Sequence, residues 1–446
     1  MGHLAVCGTI LQTPAPGQLQ ILPDALVLVD ADGVIETVLA PTDSDYAAEK
    51  QAAKQSGALV ELPAGQCLLP GMIDLHIHAP QWLQLGTGLD VPLEDWLQRY
   101  TFPLEAKYAD IAFARRSYTS LVSTLLANGT TTGVYFASIH PAATRVLADI
   151  CLALGQRALV GKVAMDHPDL CPAWYRDASA AEAATETRAF VDYVHSNAGN
   201  DSGRVLPVIT PRCIPACTDD LLERLGALAT ETGCHVQTHC SESDWEHDHV
   251  LQRHGMTDAL SLRRFGLLTR RTVLAHGTFV TDADLDAVGA AGAGFAHCPL
   301  SNAYLSDAVF PARRVLDHGV HAGLGTDIAG GHDASILATC RHAVMVSRLL
   351  ESGVDASLPR GQRGRPGARI EPAEAFWLAT AGGGQVLDLP IGLLAPGYRF
   401  DALAVEVPGN EFDSGDVGDR FQRIVFNAGR EHIRKVWVDG AAVHPA

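Results

Sequence analysis

The sequence predicts an α/β fold, a distorted (β/α)8 TIM barrel joined to a small β-sandwich domain formed by its N- and C-terminal segments. Three observations carry that expectation. Between about residues 70 and 330, short β-branched or apolar runs recur, separated by Ala/Leu/Glu-rich stretches with helical spacing. Several of those runs end in a histidine or an aspartate. The two ends of the chain read instead as short strands broken by Asp-Gly turns.

Taken in order, residues 1–69 form the first part of the small β domain, with a strand at 25–30 running into the turn Asp32-Gly33. The barrel occupies 70–385, with candidate strands at 72–78, 130–136, 158–165, 205–210, 234–240, 272–276, 293–298 and 321–326. Eight strands in succession, each followed by a helical stretch, suggest closure on themselves. The helix expected at 219–230 is representative, its leucines falling at i, i+3 and i+4 and its end marked by Gly233. Residues 355–369 carry glycines, prolines and four arginines without periodicity, the pattern of a surface loop. Residues 386–446 complete the small domain, with strands at 401–407 and 436–438 before Asp439-Gly440.

A chain of 446 residues that is 47% apolar can bury a large core. Its net charge of −18 opposes binding to phosphate backbones or anionic membranes. No apolar run reaches the ~18 residues of a spanning helix, and no export signal precedes the first strand, so we expect a cytoplasmic protein. The ten cysteines include no C-x-x-C pair and read as reduced, mostly buried thiols.

Barrel enzymes place their reacting groups at the C-terminal ends of strands. The first strand ends His76-Ile-His78, whose imidazoles share a face because strand side chains alternate. His239, His276 and Asp327 end the fifth, sixth and eighth strands at the same level. Nitrogen and oxygen donors with a position left for water describe a catalytic zinc site, here with His76, His78, His239 and Asp327 as ligands; Fe2+ tolerates the same donors. A lone strand histidine is usually a hydrogen-bonded core residue, but this many at one barrel level reverses that reading. His3, His140, His195, His247, His249 and His254 lie in expected loops or helices and read as ordinary surface residues. His297 reads as an orienting or packing residue.

Glu242 follows His239 by three positions and suits proton delivery, whereas His276 and Asp327 suit water activation. The fourth strand ends Thr210-Pro211-Arg212 and holds no lysine to bridge a second ion, which favours one metal per chain. Arg212 either points its donor fork at a substrate carbonyl or pairs with a loop carboxylate.

These residues resemble the amidohydrolase superfamily. Pro70-Gly-Met-Ile-Asp-Leu-His-Ile-His-Ala-Pro-Gln81, Leu89-Asp-Val-Pro-Leu-Glu-Asp-Trp-Leu97 and Tyr100-Thr-Phe-Pro-Leu-Glu105 resemble its guanine deaminase family in particular. Thr238-His-Cys-Ser-Glu242, Ala275-His-Gly277 and Gly323-Leu-Gly-Thr-Asp327 continue the match, which covers nearly the whole chain. The resemblance implies hydrolysis of guanine to xanthine and ammonia at a mononuclear zinc site, in a homodimer. It further implies that Glu242 shuttles protons, that Gln81 and Arg212 hold the polar edge of the purine, and that His239, Glu242, Asp327 and the residue after the arginine line its pocket. Residues 79–105 are expected in the pocket wall.

That residue after the arginine is Cys213, where the family commonly has an aromatic side chain, so a wider pocket is expected. Two other functions fit the metal motif: a deaminase of pterins, triazines or other purines, and an inactive binding protein on the same barrel. Arg212 and the 96–105 segment argue against the first, and the complete ligand set argues against the second.

Overall fold

The computed structural model describes residues 4–409 and 415–445; His3 lies outside them. Eight parallel strands form the barrel in chain order: Met72–His78, Thr130–Phe136, Arg157–Gly161, Val205–Pro211, His235–Cys240, Thr272–His276, Gly294–His297 and His321–Leu324. The expected third strand breaks at Lys162 and resumes as Val163–Ala164, which pairs with Thr210 and Pro211. Met72–His78 is buried along its whole length, as a strand must be when helices cover the barrel and side chains fill it. Ile73, Leu75, Val134, Leu159 and Val208 share one cluster with Val386 and Leu387, which close the end away from the histidines.

Closure between the last strand and the first occurs at the histidine end. Asp327 N donates to His76 O at 2.9 Å, and His78 N donates to Ile328 O at 2.9 Å. Below them the buried carboxylate of Asp74 accepts from Thr326 N at 3.0 Å and Thr326 Oγ1 at 2.5 Å. Gly325 lets the strands approach, since a Cβ there would lie 2.8 Å from His76 Cβ. Thr326→Val deprives Asp74 of its hydroxyl donor inside a dry seam, so we expect a loss of about 1–3 kcal/mol, read as a lower melting temperature.

The expected helix at 219–230 spans Asp219–Thr232 and lays Leu221, Leu222 and Leu225 against the barrel wall. The expected loop at 355–369 holds only the short 3-10 turn Arg360–Gln362.

The chain ends meet in one mixed sheet, ordered Ala441–Pro445, Ile433–Val438, Ala402–Glu406, Gln66–Pro70, Leu4–Ala15, Gln18–Val29, Ile35–Leu39, with Leu59–Glu61 paired to Leu4–Ala15. The sheet rolls over on itself: Gly33, at φ 80°, sits so close to the opposite turn that a Cβ would lie 2.3 Å from Asp439 O. Val6, Val27, Phe400 and Trp437 fill the space it encloses. Arg157 of the barrel reaches into this sheet, its Nε 2.9 Å from Asp401 Oδ2, and its other end pairs with Asp439. Among the described residues no helix is long and apolar enough to cross a membrane.

Candidate active site

The strand ends bring His76, His78, His239, His276, Asp327 and Glu242 together, with Glu242 arriving from the loop after the fifth strand. His78 Nε2 and His239 Nε2 are 3.0 Å apart, His76 Nε2 lies 3.2 Å from Asp327 Oδ1, and His78 Nε2 lies 3.5 Å from the same oxygen. His276 Nε2 is 3.6 Å from Glu242 Oε1. All six residues are buried. His276 and Asp327 reach their places through left-handed backbone, φ 72° and 50°, a conformation that costs energy in non-glycine residues and is concentrated at functional sites.

The hydrogen bonds decide which imidazole nitrogen faces the centre. His239 Nδ1 donates to Arg212 O at 2.5 Å, and His276 Nδ1 donates to Asn302 Oδ1 at 2.9 Å. In each ring the proton is thereby fixed on Nδ1, and Nε2 keeps its lone pair. His76 Nε2 and His276 Nε2 are buried without a hydrogen-bond partner. Burial holds His76 below the ordinary histidine range and His78 and His239 well below it, so these rings are neutral. Burial pushes Asp327 up, but the surrounding imidazoles outweigh it and keep the carboxyl well below its usual range.

Neutral imidazoles and one carboxylate, with unpartnered lone pairs converging in a dry site, fit a divalent cation. His76, His78 and His239 offer ligand atoms within 4.8 Å of one another, as do His76, His276 and Asp327. Burial, with the charge of Asp327, raises the Glu242 carboxyl to about 8. Its loop is pinned from both sides: Glu242 N donates to Glu246 Oε2 at 2.8 Å, and Thr278 Oγ1 donates to Glu242 O at 2.6 Å.

His78, His239, Glu242 and Asp327 line a cavity together with Gln81, Trp96, Arg212, Cys213, Trp245 and Glu246. Arg212 pairs with a carboxylate, Nη1 lying 2.8 Å from Glu105 Oε2 and Nη2 3.2 Å from Glu105 Oε1. Gln81 Nε2 donates to Glu105 Oε1 at 2.9 Å, and Gln81 Oε1 accepts from Ala329 N at 3.1 Å. Cys213 lies in the wall, and burial raises its thiol well above the ordinary range, which leaves it without nucleophilic character. The indoles of Trp96 and Trp245 give the cavity aromatic surface that position 213 does not.

His297 is buried and stacks on Phe310 with ring centroids 5.0 Å apart, a packing position. His140, His195, His247, His249 and His254 take no part in the cluster. Sequence reasoning missed Trp245, Glu246 and Asn302 and gave Glu105 no role of its own. A signal existed for Glu246, because Ser243-x-x-Glu246 is a helix-start pattern and Ser243 Oγ accepts from Glu246 N at 3.3 Å.

The profile of the amidohydrolase family matches residues 67–443. Guanine deaminase of Homo sapiens is 34% identical over 98% of this chain and 96% of its own length. Probable guanine deaminase of Schizosaccharomyces pombe is 35% identical over 98% of this chain and 82% of its own length. The crystal structure of guanine deaminase from C. acetobutylicum with bound guanine in the active site matches with a TM-score of 0.88 at 28% identity, covering 99% of this chain and 100% of that one. The chain belongs to the amidohydrolase family, in its guanine deaminase branch.

Proposed function

We propose that this protein hydrolyses guanine to xanthine and ammonia at a single zinc ion held by His76, His78, His239 and Asp327, with Fe2+ as an alternative metal. The observation that carries this reading is one cavity lined by two kinds of residue. Its lining includes His78, His239 and Asp327 with Glu242, and also the donor-bearing side chains of Gln81 and Arg212. A guanine whose C6 carbonyl meets those donors turns C2, two bonds away, toward the cluster. Trp96 and Trp245 offer apolar surface for a flat ring.

When bound, the cation supplies Lewis acidity that lowers the pKa of water. The remaining steps belong to the side chains. His276 Nε2, a lone-pair acceptor because Asn302 holds the Nδ1 proton, orients the attacking water together with Asp327. Glu242 accepts a proton from that water as its oxygen adds to C2 and passes the proton to N3. It then carries the new hydroxyl's proton to the amine, the C2–N bond breaks, and ammonia leaves with C2 now a carbonyl. One carboxyl that takes up a proton and gives it back serves both halves of this exchange.

A homodimer and a cytoplasmic location complete the proposal. Exposed Met345, Leu349 and Val354 offer apolar surface for the first, and ten free cysteines suit a reducing compartment for the second.

Chelated protein titrated with zinc tests the metal assignment. Guanine turnover is expected to rise linearly and saturate at one equivalent, with a higher melting temperature for the loaded form. Saturation at two equivalents, or full turnover after chelation, would contradict it.

A further inference from the structure

We propose that Glu105 is the positioning residue that sets the pocket's preference for a ring bearing a carbonyl; the inference rests on the guanine reading above. Glu105 is fully buried and touches no bulk water, so it acts through its neighbours. Oε1 accepts from both Gln81 Nε2 at 2.9 Å and Arg212 Nη2 at 3.2 Å. Oε2 accepts from Arg212 Nη1 at 2.8 Å and Tyr175 Oη at 2.7 Å.

The shared oxygen is the informative feature. Gln81 Nε2 and Arg212 Nη2 each carry two hydrogens, and each directs one to Glu105 Oε1. Two donors anchored on one atom are neighbours, and both residues line the cavity. Their second hydrogens therefore form a paired donor with a fixed spacing, complementary to one carbonyl oxygen and opposed to an amino group. Gln81 cannot flip, because its Oε1 is held by Ala329 N. Arg212 cannot swing, because both ends of its fork are bound and its guanidinium lies 5.0 Å from the Phe102 ring. Glu105 also neutralises the guanidinium, so this donor pair selects a neutral oxygen and not an anion.

Glu105→Gln keeps the shape but places an N–H against donors at one of the two oxygen positions. The experiment compares guanine with 2-aminopurine, which keeps the C2 amine and lacks the C6 carbonyl, in zinc-loaded wild-type and variant enzyme. We expect KM for guanine to rise about 100-fold, the weight of one or two charge-assisted hydrogen bonds, while kcat changes less than about 5-fold. Binding of 2-aminopurine, as substrate or competitive inhibitor, should change less than about 3-fold, and zinc content should stay at wild type. Tyr175→Phe, which removes a donor to Glu105 without touching Gln81 or Arg212, should leave KM within about 3-fold.

An unchanged KM for guanine, or equal losses on both rings, would overturn the assignment. If Glu105→Gln does not fold, Glu105→Asp decides: about a 10-fold rise in KM with kcat preserved supports it, and a parallel loss of both parameters overturns it. Wild-type enzyme silent on guanine would sink the functional reading and this inference together. Wild-type turnover with an unaffected Glu105→Gln variant would sink this inference alone.

Discussion

Glu242→Gln should retain its zinc and lose about 10³- to 10⁴-fold in kcat on guanine, near the upper end of what a positioned acid–base group contributes. The substitution keeps the volume of the side chain and both backbone bonds that pin its loop, to Glu246 and Thr278. It removes only the capacity to take a proton from water and release it to N3 and the leaving amine. Because every proton movement in the proposed reaction passes through this one carboxyl, neither half can proceed at its normal rate. Metal analysis beside steady-state kinetics checks the point. Near-complete turnover would remove Glu242 from the mechanism. Loss of zinc would make it a ligand, an outcome the geometry makes worth excluding because its oxygen lies close to His276 Nε2, at 3.6 Å.

Arg212→Met carries the second large effect, and it acts on stability and catalysis at once. The guanidinium is buried against Glu105, and each neutralises the other. Truncation leaves the carboxylate in a dry site without its charge partner, a change that costs about 3–5 kcal/mol. It also removes half of the paired donor and the cation–π contact with Phe102. We expect a markedly lower melting temperature and a fall of about 10³-fold in kcat/KM for guanine. Zinc binding should persist, because His239 is oriented by the backbone oxygen of residue 212 and not by its side chain. Loss of zinc in this variant would show that Arg212 instead supports the ligand shell.

Much of this architecture was legible in the sequence because barrel strands obey local rules. Met72–His78 and Thr272–His276 occur at the expected positions, since a strand buried on both faces is largely apolar and its polar terminus then stands out. The ligand cluster was readable for the same reason: in a parallel barrel, strand order converts residues far apart in sequence into neighbours. Glu105 was not assigned a role because nothing around it in sequence marks a buried carboxylate. Its burial depends on docking of the Phe102–Glu105 turn against Gln81, Tyr175 and Arg212, which come from three other parts of the chain. Trp245 was missed because a tryptophan in a polar helix start reads as exposed until the helix is placed over the cavity. The break at Lys162 was hidden because the residue is fully buried by its pairing with Asp177, a contact outside local sequence.

The most direct test of the central claim is ammonia release and the ultraviolet change when zinc-loaded protein meets guanine, beside adenine, a pterin and a triazine. Guanine should turn over well above the others, with xanthine as product. Silence on guanine with turnover of another ring would contradict that claim, and would assign the metal chemistry to that substrate.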